Sequence, residues 1–400
     1  MNDKKADKHI ILFCLYKILS SCLFSRGIFM IYLTHKGLNI AQVGIYQMLV
    51  QASIFLLEIP TGYIGDKIGK IKSLQIGTLL LILHCLMIVF FDYPIVLISL
   101  GIIEGAGYTF VSGSDNALLY ELLKTNHKES EYLKLNANLQ AVQSILTGVT
   151  ISFGAMMISF SWDSVYYTTA MCLFISGLFL FAIKEPYKQE EKMAKRAVGI
   201  LPKMKSAILY PDIMFFVIYV VGFSCFDGLS GSYYNYNQII FERKAIPVSL
   251  IGFFFSITYL ASSVAYIFTT YLSKKMSEKM IILRIMALQG LLFAALAGIQ
   301  NKILFVAISF LCCLLPEVIY ILADSIIQRY IASEYRATIL SIVSMLRSLI
   351  SAITYSILGG ILNKTDINGF MCFLTLVTFI MLFCFRLILI FEKGKSADER

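Results

Sequence analysis

Charge is what this sequence has least of. Asp, Glu, Lys and Arg make up 15% of its 400 residues, against about 25% in soluble domains, which excludes a soluble globular protein. Its nine cysteines show no CxxC pair and no Cys/His spacing suited to a metal. All nine lie in apolar stretches, as free thiols packed among helices would. HExxH, GxSxG and a nucleotide-binding P-loop are all absent, so zinc hydrolysis, serine hydrolysis and recognisable ATP use have no residues to carry them. The short Gly-rich strands of alternating polarity that mark an outer-membrane barrel are missing too. No small-residue cleavage site follows the first apolar run, so that run reads as a retained first span.

What is present is apolar sequence. Hydrophobic residues reach 58% and mean hydropathy stays at +0.76 over the whole length, while one span needs about 20 apolar residues. A polytopic all-α membrane protein follows. The apolar runs predict spans near 9–33, 40–63, 73–91, 95–120, 133–157 and 163–183, then near 208–229, 250–272, 281–299, 302–328, 338–362 and 367–391. Between the sixes lies the longest polar segment, KEPYKQEEKMAKRAVGILPKMKS. The expected domains are therefore a bundle over 1–183, a linker over 184–207 and a bundle over 208–400.

A net charge of +9 would suggest nucleic acid in a soluble protein. Here topology accounts for it, and no nucleic-acid partner is expected. Segments assigned to the inside hold 23 Lys and Arg, whereas the outside loops hold five: Lys36, Arg243, Lys244, Lys302 and Lys364. The bias places both termini in the cytoplasm of a multi-pass cell-membrane protein.

The halves also repeat. GLNIAQVGI echoes AIPVSLIGF, with Gly44 matching Gly252 at an offset of 208, and SGSDNALL echoes LADSIIQ, with Asp115 matching Asp324 at an offset of 209. SEY recurs at 130–132 and 333–335, so three matches fall in consistent order.

After the second predicted span comes EIPTGYIGDKIGKIK, Glu58 to Lys72. It reads as a helix end and a tight turn, with Gly62, Gly65 and Gly69 permitting close backbone approach and Lys67, Lys70 and Lys72 held at the cytoplasmic surface. The pattern Gly62-xxx-Asp66-Lys67-x-Gly69-Lys70 resembles the loop 2–3 signature of the major facilitator superfamily, and Glu58-x-Pro60-Thr61-Gly62 resembles a bacterial efflux-type branch of it. That resemblance implies twelve transmembrane helices in two pseudo-symmetric six-helix bundles, and a monomeric transporter rather than an enzyme. It implies no cofactor and no metal. Alternating access would move a small-molecule substrate across the bilayer, with multidrug-type antiport of an amphipathic compound against protons as the leading reading. Uptake of a metabolite, peptide or lipid-like compound by the same fold is the alternative, and a membrane receptor or enzyme is a third reading that no motif favours. The resemblance further implies that Asp66 sits near Ala337 and Thr338, at the positive N-terminus of the eleventh helix, and gates the inner side. Where efflux members often carry an Arg in the fourth span, this chain has Glu104.

Charged groups within spans are expensive and mark cavities or pathways. In the superfamily the first, fourth, seventh and tenth helices line the cavity. By that resemblance Arg26, Glu104, Asp227 and Glu317 are candidate substrate or proton ligands, one on each helix. At about 1.5 Å per residue, Arg26 lies about 10 Å, Glu104 about 14 Å and Glu317 about 22 Å from the outer end of its span, with Asp227 nearest the outside. Snorkelling is the alternative for Arg26, and an exposed helix end for Asp227. Helical spacing puts Asp115 on the stripe of Glu104 and Asp324 on that of Glu317, which makes the two aspartates inner-gate candidates. Arg347, deep in the eleventh span, is expected to pair with Asp324 or Glu317. Lys17 is expected to snorkel, and His84 to be a packed core histidine.

Overall fold

The computed structural model describes residues 3–185, 213–331 and 336–398, and no strand occurs among them. Fourteen α-helices are described: α1 (Asp3–Ser20), α2 (Phe29–His35), α3 (Ile40–Ile68), α4 (Lys70–Phe90), α5 (Pro94–Ser112), α6 (Asp115–Thr125), α7 (Tyr132–Met157), α8 (Ser164–Phe181), α9 (Ile213–Arg243), α10 (Val248–Ser273), α11 (Glu278–Gly298), α12 (Lys302–Arg329), α13 (Arg336–Lys364) and α14 (Ile367–Asp398). Ten segments are long and apolar enough to cross a membrane, with α5 and α6 counted as one. The two parts of α10, at 46° to each other, make an eleventh where they cross as one span. Large apolar side chains such as Leu56, Ile95, Phe160, Phe181, Ile303 and Phe383 are exposed, as lipid-facing side chains are.

Two compact units emerge: Met1–Gln189 with Gln238–Leu260, and Glu190–Asn237 with Ala261–Arg400. The first has a core of Phe13, Tyr16, Leu74, Leu118, Leu122 and Leu180. The second packs Phe215, Tyr219, Phe223, Ile282, Leu322 and Phe385.

Local chemistry sets the helix ends. At the start of α3 the Asn39 side chain accepts from the Gln42 amide and the Gln42 side chain accepts from the Asn39 amide, both at 2.9 Å, a capping box. Pro94 opens α5, where its missing N–H costs nothing. Asn301 caps α12 through the Leu304 amide at 3.0 Å.

Three expected boundaries move. The predicted first span is broken: α1 ends at Ser20 and α2 begins at Phe29. The gap holds Cys22, Leu23, Phe24 and Ile28 among Ser21, Ser25, Arg26 and Gly27, apolar enough on average to hide the break, and side chains from elsewhere complete the freed backbone. Gln143 donates to the Lys17 carbonyl and Thr147 to the Ser21 carbonyl, each at 2.9 Å. Gln238 does two jobs, donating to the Arg26 carbonyl at 3.2 Å and accepting from the Met30 amide at 2.9 Å. Irregular backbone at membrane depth persists where protein satisfies it in this way.

The second correction concerns the signature. Instead of ending near residue 63, α3 runs through Pro60 and Gly62 to Ile68, and the turn is at Gly69 alone, with φ at +107°. Gly62 meets nothing within 4 Å of a would-be Cβ, whereas Gly65 faces Ser114 and Ser73. Third, α9 extends to Arg243 rather than ending near 229. Its polar run looked like a membrane exit, but Ser232, Asn237 and Gln238 are fully buried. Asp227 is consequently near the middle of a long helix rather than at its end.

Candidate functional site

In the first unit, glycines decide which helices can touch. A Cβ at Gly101 would meet the Tyr46 carbonyl at 2.6 Å, and one at Gly105 would collide with the Val50 carbonyl, so α5 lies against the backbone of α3. On the neighbouring flank Gly107 faces Gly77, whose would-be Cβ meets the Gly107 carbonyl at 2.9 Å, and α4 closes in as well. Small residues spaced in this way let membrane helices approach closely. Glu104 sits among these glycines on α5 and is thereby pressed between α3 and α4.

Its partners come from all three helices. The Glu104 carboxylate accepts hydrogen bonds from the Tyr46 hydroxyl on α3 and, at 3.2 Å, from the Tyr108 hydroxyl on α5. His84 Nε2 on α4 is 3.9 Å from the carboxylate and 2.8 Å from the Tyr46 oxygen. Tyr46 and His84 are buried, and the Glu104 side chain keeps 18% exposure. Arg26 is exposed in the break between α1 and α2, with its guanidinium 5.7 Å from the Tyr259 ring and its charge within electrostatic reach of Tyr108. His84, expected to be inert packing, is thus part of the cluster. The glycine run around Glu104 was the available signal, because a carboxylate on so tightly packed a helix must meet a neighbour's polar group.

Asp115 has other company. A break at Gly113–Ser114 makes it the first residue of α6, so the continuous stripe expected with Glu104 is interrupted. Its carboxylate is 3.1 Å from Lys17 Nζ, which also donates to Asn116 at 3.3 Å. Lys17 is buried rather than snorkelling: the tight approach of α6 to α1 gives it an acid to hold in place of water.

In the second unit, Asp227 and Arg347 line one crevice with Phe223, Phe226, Pro316 and Tyr320; its volume of about 10 Å³ is room for about one water. The Arg347 guanidinium is 5.0 Å from the Tyr320 ring centre, a cation–π distance. Asp227 lies within electrostatic reach of both Arg347 and Glu317. The acid facing Arg347 is therefore Asp227, not the expected Asp324 or Glu317, a consequence of α9 continuing past Asp227. Glu317 instead accepts from Ser262 at 3.3 Å, and Asp324 from Gln328 at 2.6 Å. On the same helix as Asp227, Tyr233 bonds to Ser309 and Tyr236 to the Tyr355 carbonyl rather than to an acid.

In the signature loop, Asp66 at the end of α3 and Lys70 at the start of α4 pair at 2.5 Å across the turn at Gly69. The N-terminus of α4 is occupied by Glu185, which accepts from the amides of Lys70 at 2.6 Å and Ile71 at 3.3 Å. A carboxylate there suits the positive helix end, although Glu185 was counted with the linker. The side chains of Ala337 and Thr338, the expected neighbours of Asp66, lie outside the described ones, as does the linker beyond Glu185.

The sequence pattern of the Major Facilitator Superfamily matches residues 12–355. The chain belongs to this superfamily. Among solved structures, it is similar to the nucleoside transporter NupG, with a TM-score of 0.76 at 14% identity over 97% of this chain and 99% of that one. The POT family transporter PepTSo gives 0.70 at 10% identity, covering 97% and 98%, and a D-xylose-proton symporter 0.68 at 12%, covering 95% and 97%. No curated protein matches the sequence. As a Major Facilitator Superfamily member, the chain has an all-α fold of twelve transmembrane segments in two six-helix bundles, and its general activity is transport across a membrane.

Proposed function

We propose that this chain is a secondary transporter that exports a small amphipathic molecule in exchange for protons, by alternating access of its two bundles. The observation that carries the proton is Glu104, a carboxylate within a span whose partners, Tyr46, Tyr108 and His84, are all groups able to pass or hold a proton. Arg26, Asp227, Glu317 and Arg347 supply further charge to the substrate path, with Asp115 and Asp324 nearer the inner gate and the segment Gly62, Asp66, Lys67, Gly69 and Lys70 as gating loop. Acids beside Phe223, Phe226 and Tyr320 suit a compound that is apolar with a positive end. Export is favoured by the efflux-type Glu58-x-Pro60-Thr61-Gly62 sequence. Proton-driven uptake is the second reading, favoured by the fold likeness to a D-xylose-proton symporter.

The test is transport by purified protein in proteoliposomes under an imposed pH gradient, against a panel of amphipathic cations, sugars, nucleosides and peptides. Export predicts that substrate moves against the proton flux; co-movement establishes uptake instead. Glu104→Gln or Glu317→Gln should abolish gradient-driven transport and retain some binding, because glutamine has no exchangeable acid proton. If both single variants and the double variant respond to the gradient as the wild type does, proton coupling lies elsewhere.

A further inference from the structure

We propose that Tyr46 and His84 extend Glu104 into a three-residue proton wire, in which His84 is a second seat for the proton that Glu104 takes up. The inference rests on the reading of Glu104 as a proton-exchanging group and adds two residues to it.

Hydrogen-bond inventory gives the wire its polarity. An ionised carboxylate only accepts, and a tyrosine hydroxyl has one hydrogen to donate. With Glu104 ionised, Tyr46 donates to it and must accept from His84, which fixes the neutral imidazole with its proton on Nε2, 2.8 Å from the Tyr46 oxygen. When Glu104 takes a proton the chain can reverse. The carboxylic acid then donates to the Tyr46 oxygen, and the Tyr46 hydroxyl donates to Nε2, which requires the imidazole with its hydrogen on Nδ1, a tautomer reached when water delivers a proton to Nδ1 and the Nε2 proton is given up in exchange. From that arrangement, transfer of the acid proton to Tyr46 and of the Tyr46 proton to Nε2 leaves a carboxylate, a neutral tyrosine and an imidazolium. One O–H bond breaks and one N–H bond forms at the ends, and the hydroxyl is regenerated between them.

The surroundings favour side-chain transfer over a water path. Tyr46 is 1% exposed and His84 6%, while Glu104, at 18%, is the end open to entry. The charged and titratable groups around the wire come from each packed element: Tyr108 beside Glu104 on α5, Cys85 on α4, Tyr166 on α8, and Arg26 through Tyr108. The imidazolium end has the Glu104 carboxylate 3.9 Å away, so the transferred state is an ion pair and not an isolated charge.

The experiment reads the histidine directly. Full-length protein with ring-¹⁵N histidine is placed in lipid vesicles and titrated, and the His84 signal is assigned by its loss in His84→Gln. The wild type should show the Nε2–H tautomer at high pH and convert on acidification. In Glu104→Gln and in Tyr46→Phe that conversion should no longer follow the wild-type course, and Tyr46→Phe should slow gradient-driven transport by at least about tenfold with substrate affinity within about twofold. Identical His84 titrations in all three proteins overturn the wire. If the tautomer follows residue 104 but no substrate moves with protons, the wire stands and the transport reading fails; if transport is proton-driven and His84 is indifferent to both substitutions, the reverse holds.

Discussion

Lys17 illustrates what burial does to a single charged side chain. Its amine meets Asp115 at 3.1 Å and Asn116 at 3.3 Å, with side-chain exposures of 6% for the lysine and 20% for the aspartate. Removing one partner of such a pair strands the other charge, which costs about 3–5 kcal/mol when the pair is fully buried. Because Asp115 retains some solvent, Lys17→Met should cost less than that, and adding Asp115→Asn should recover part of the loss. Thermal unfolding of the two variants in one detergent checks this; equal stability of Lys17→Met and wild type would mean that the pair is solvated. The repeat clarifies the asymmetry between halves. At the offset that joins Gly44 to Gly252, Lys17 corresponds to Cys225, so Asp324 has no lysine opposite and bonds within its own helix to Gln328. Asp115 and Asp324 were legible as a repeated pair, but the partner of Asp115 was not, since Lys17 lies 98 residues earlier on another helix, whereas Gln328 is only one turn from Asp324.

At the scale of the element, apolar run length made the spans readable, and packing made their irregularities unreadable. The break in the first span keeps its hydropathy and is held by Gln143, Thr147 and Gln238, all more than a hundred residues away. Likewise the mid-helix place of Asp227 depends on burial of Asn237 and Gln238, whose polarity argued for a loop. The glycines of α5 were visible as letters, yet their meaning required knowing which helices lie on either side. That meaning gives a prediction. A methyl group at Gly105 would strike the Val50 carbonyl, so Gly105→Ala must push α5 from α3, at about 1–3 kcal/mol for overpacking. The displacement also separates Glu104 from Tyr46, so gradient-driven transport should fall even in protein that remains folded. Gly62→Ala, with open space at its Cβ, is the control and should leave stability nearly unchanged. Were both variants to behave alike in thermal unfolding, close α3–α5 contact would not be what positions the carboxylate.

For the whole molecule, side-chain pairs report which loops share a face of the membrane. In the first unit Lys36 bonds to Asp92 at 2.5 Å, and Tyr32 donates to Asp163 at 2.7 Å, tying the ends of the first, third and fifth connections together. Glu185 meets the turn after α3, joining the second connection to the chain that follows the sixth span. In the second unit Arg329, at the end of α12, pairs with Glu278, at the start of α11. These pairings fit an even number of crossings in each half, but parity alone does not say which face is inside. The Lys and Arg bias supplies the sign, because positively charged loops are retained in the cytoplasm. With 23 such residues on one side and five on the other, the linker and both termini are predicted to be cytoplasmic and the loop between α13 and α14 external. In a background with the nine native cysteines replaced, Lys364→Cys should react with an impermeant maleimide in intact cells, since Lys364, the last residue of α13, is exposed where that loop begins. Lys192→Cys, in the linker, should react only after the membrane is opened. The opposite pattern would invert the topology, and with it the direction in which a proton entering at Glu104 travels.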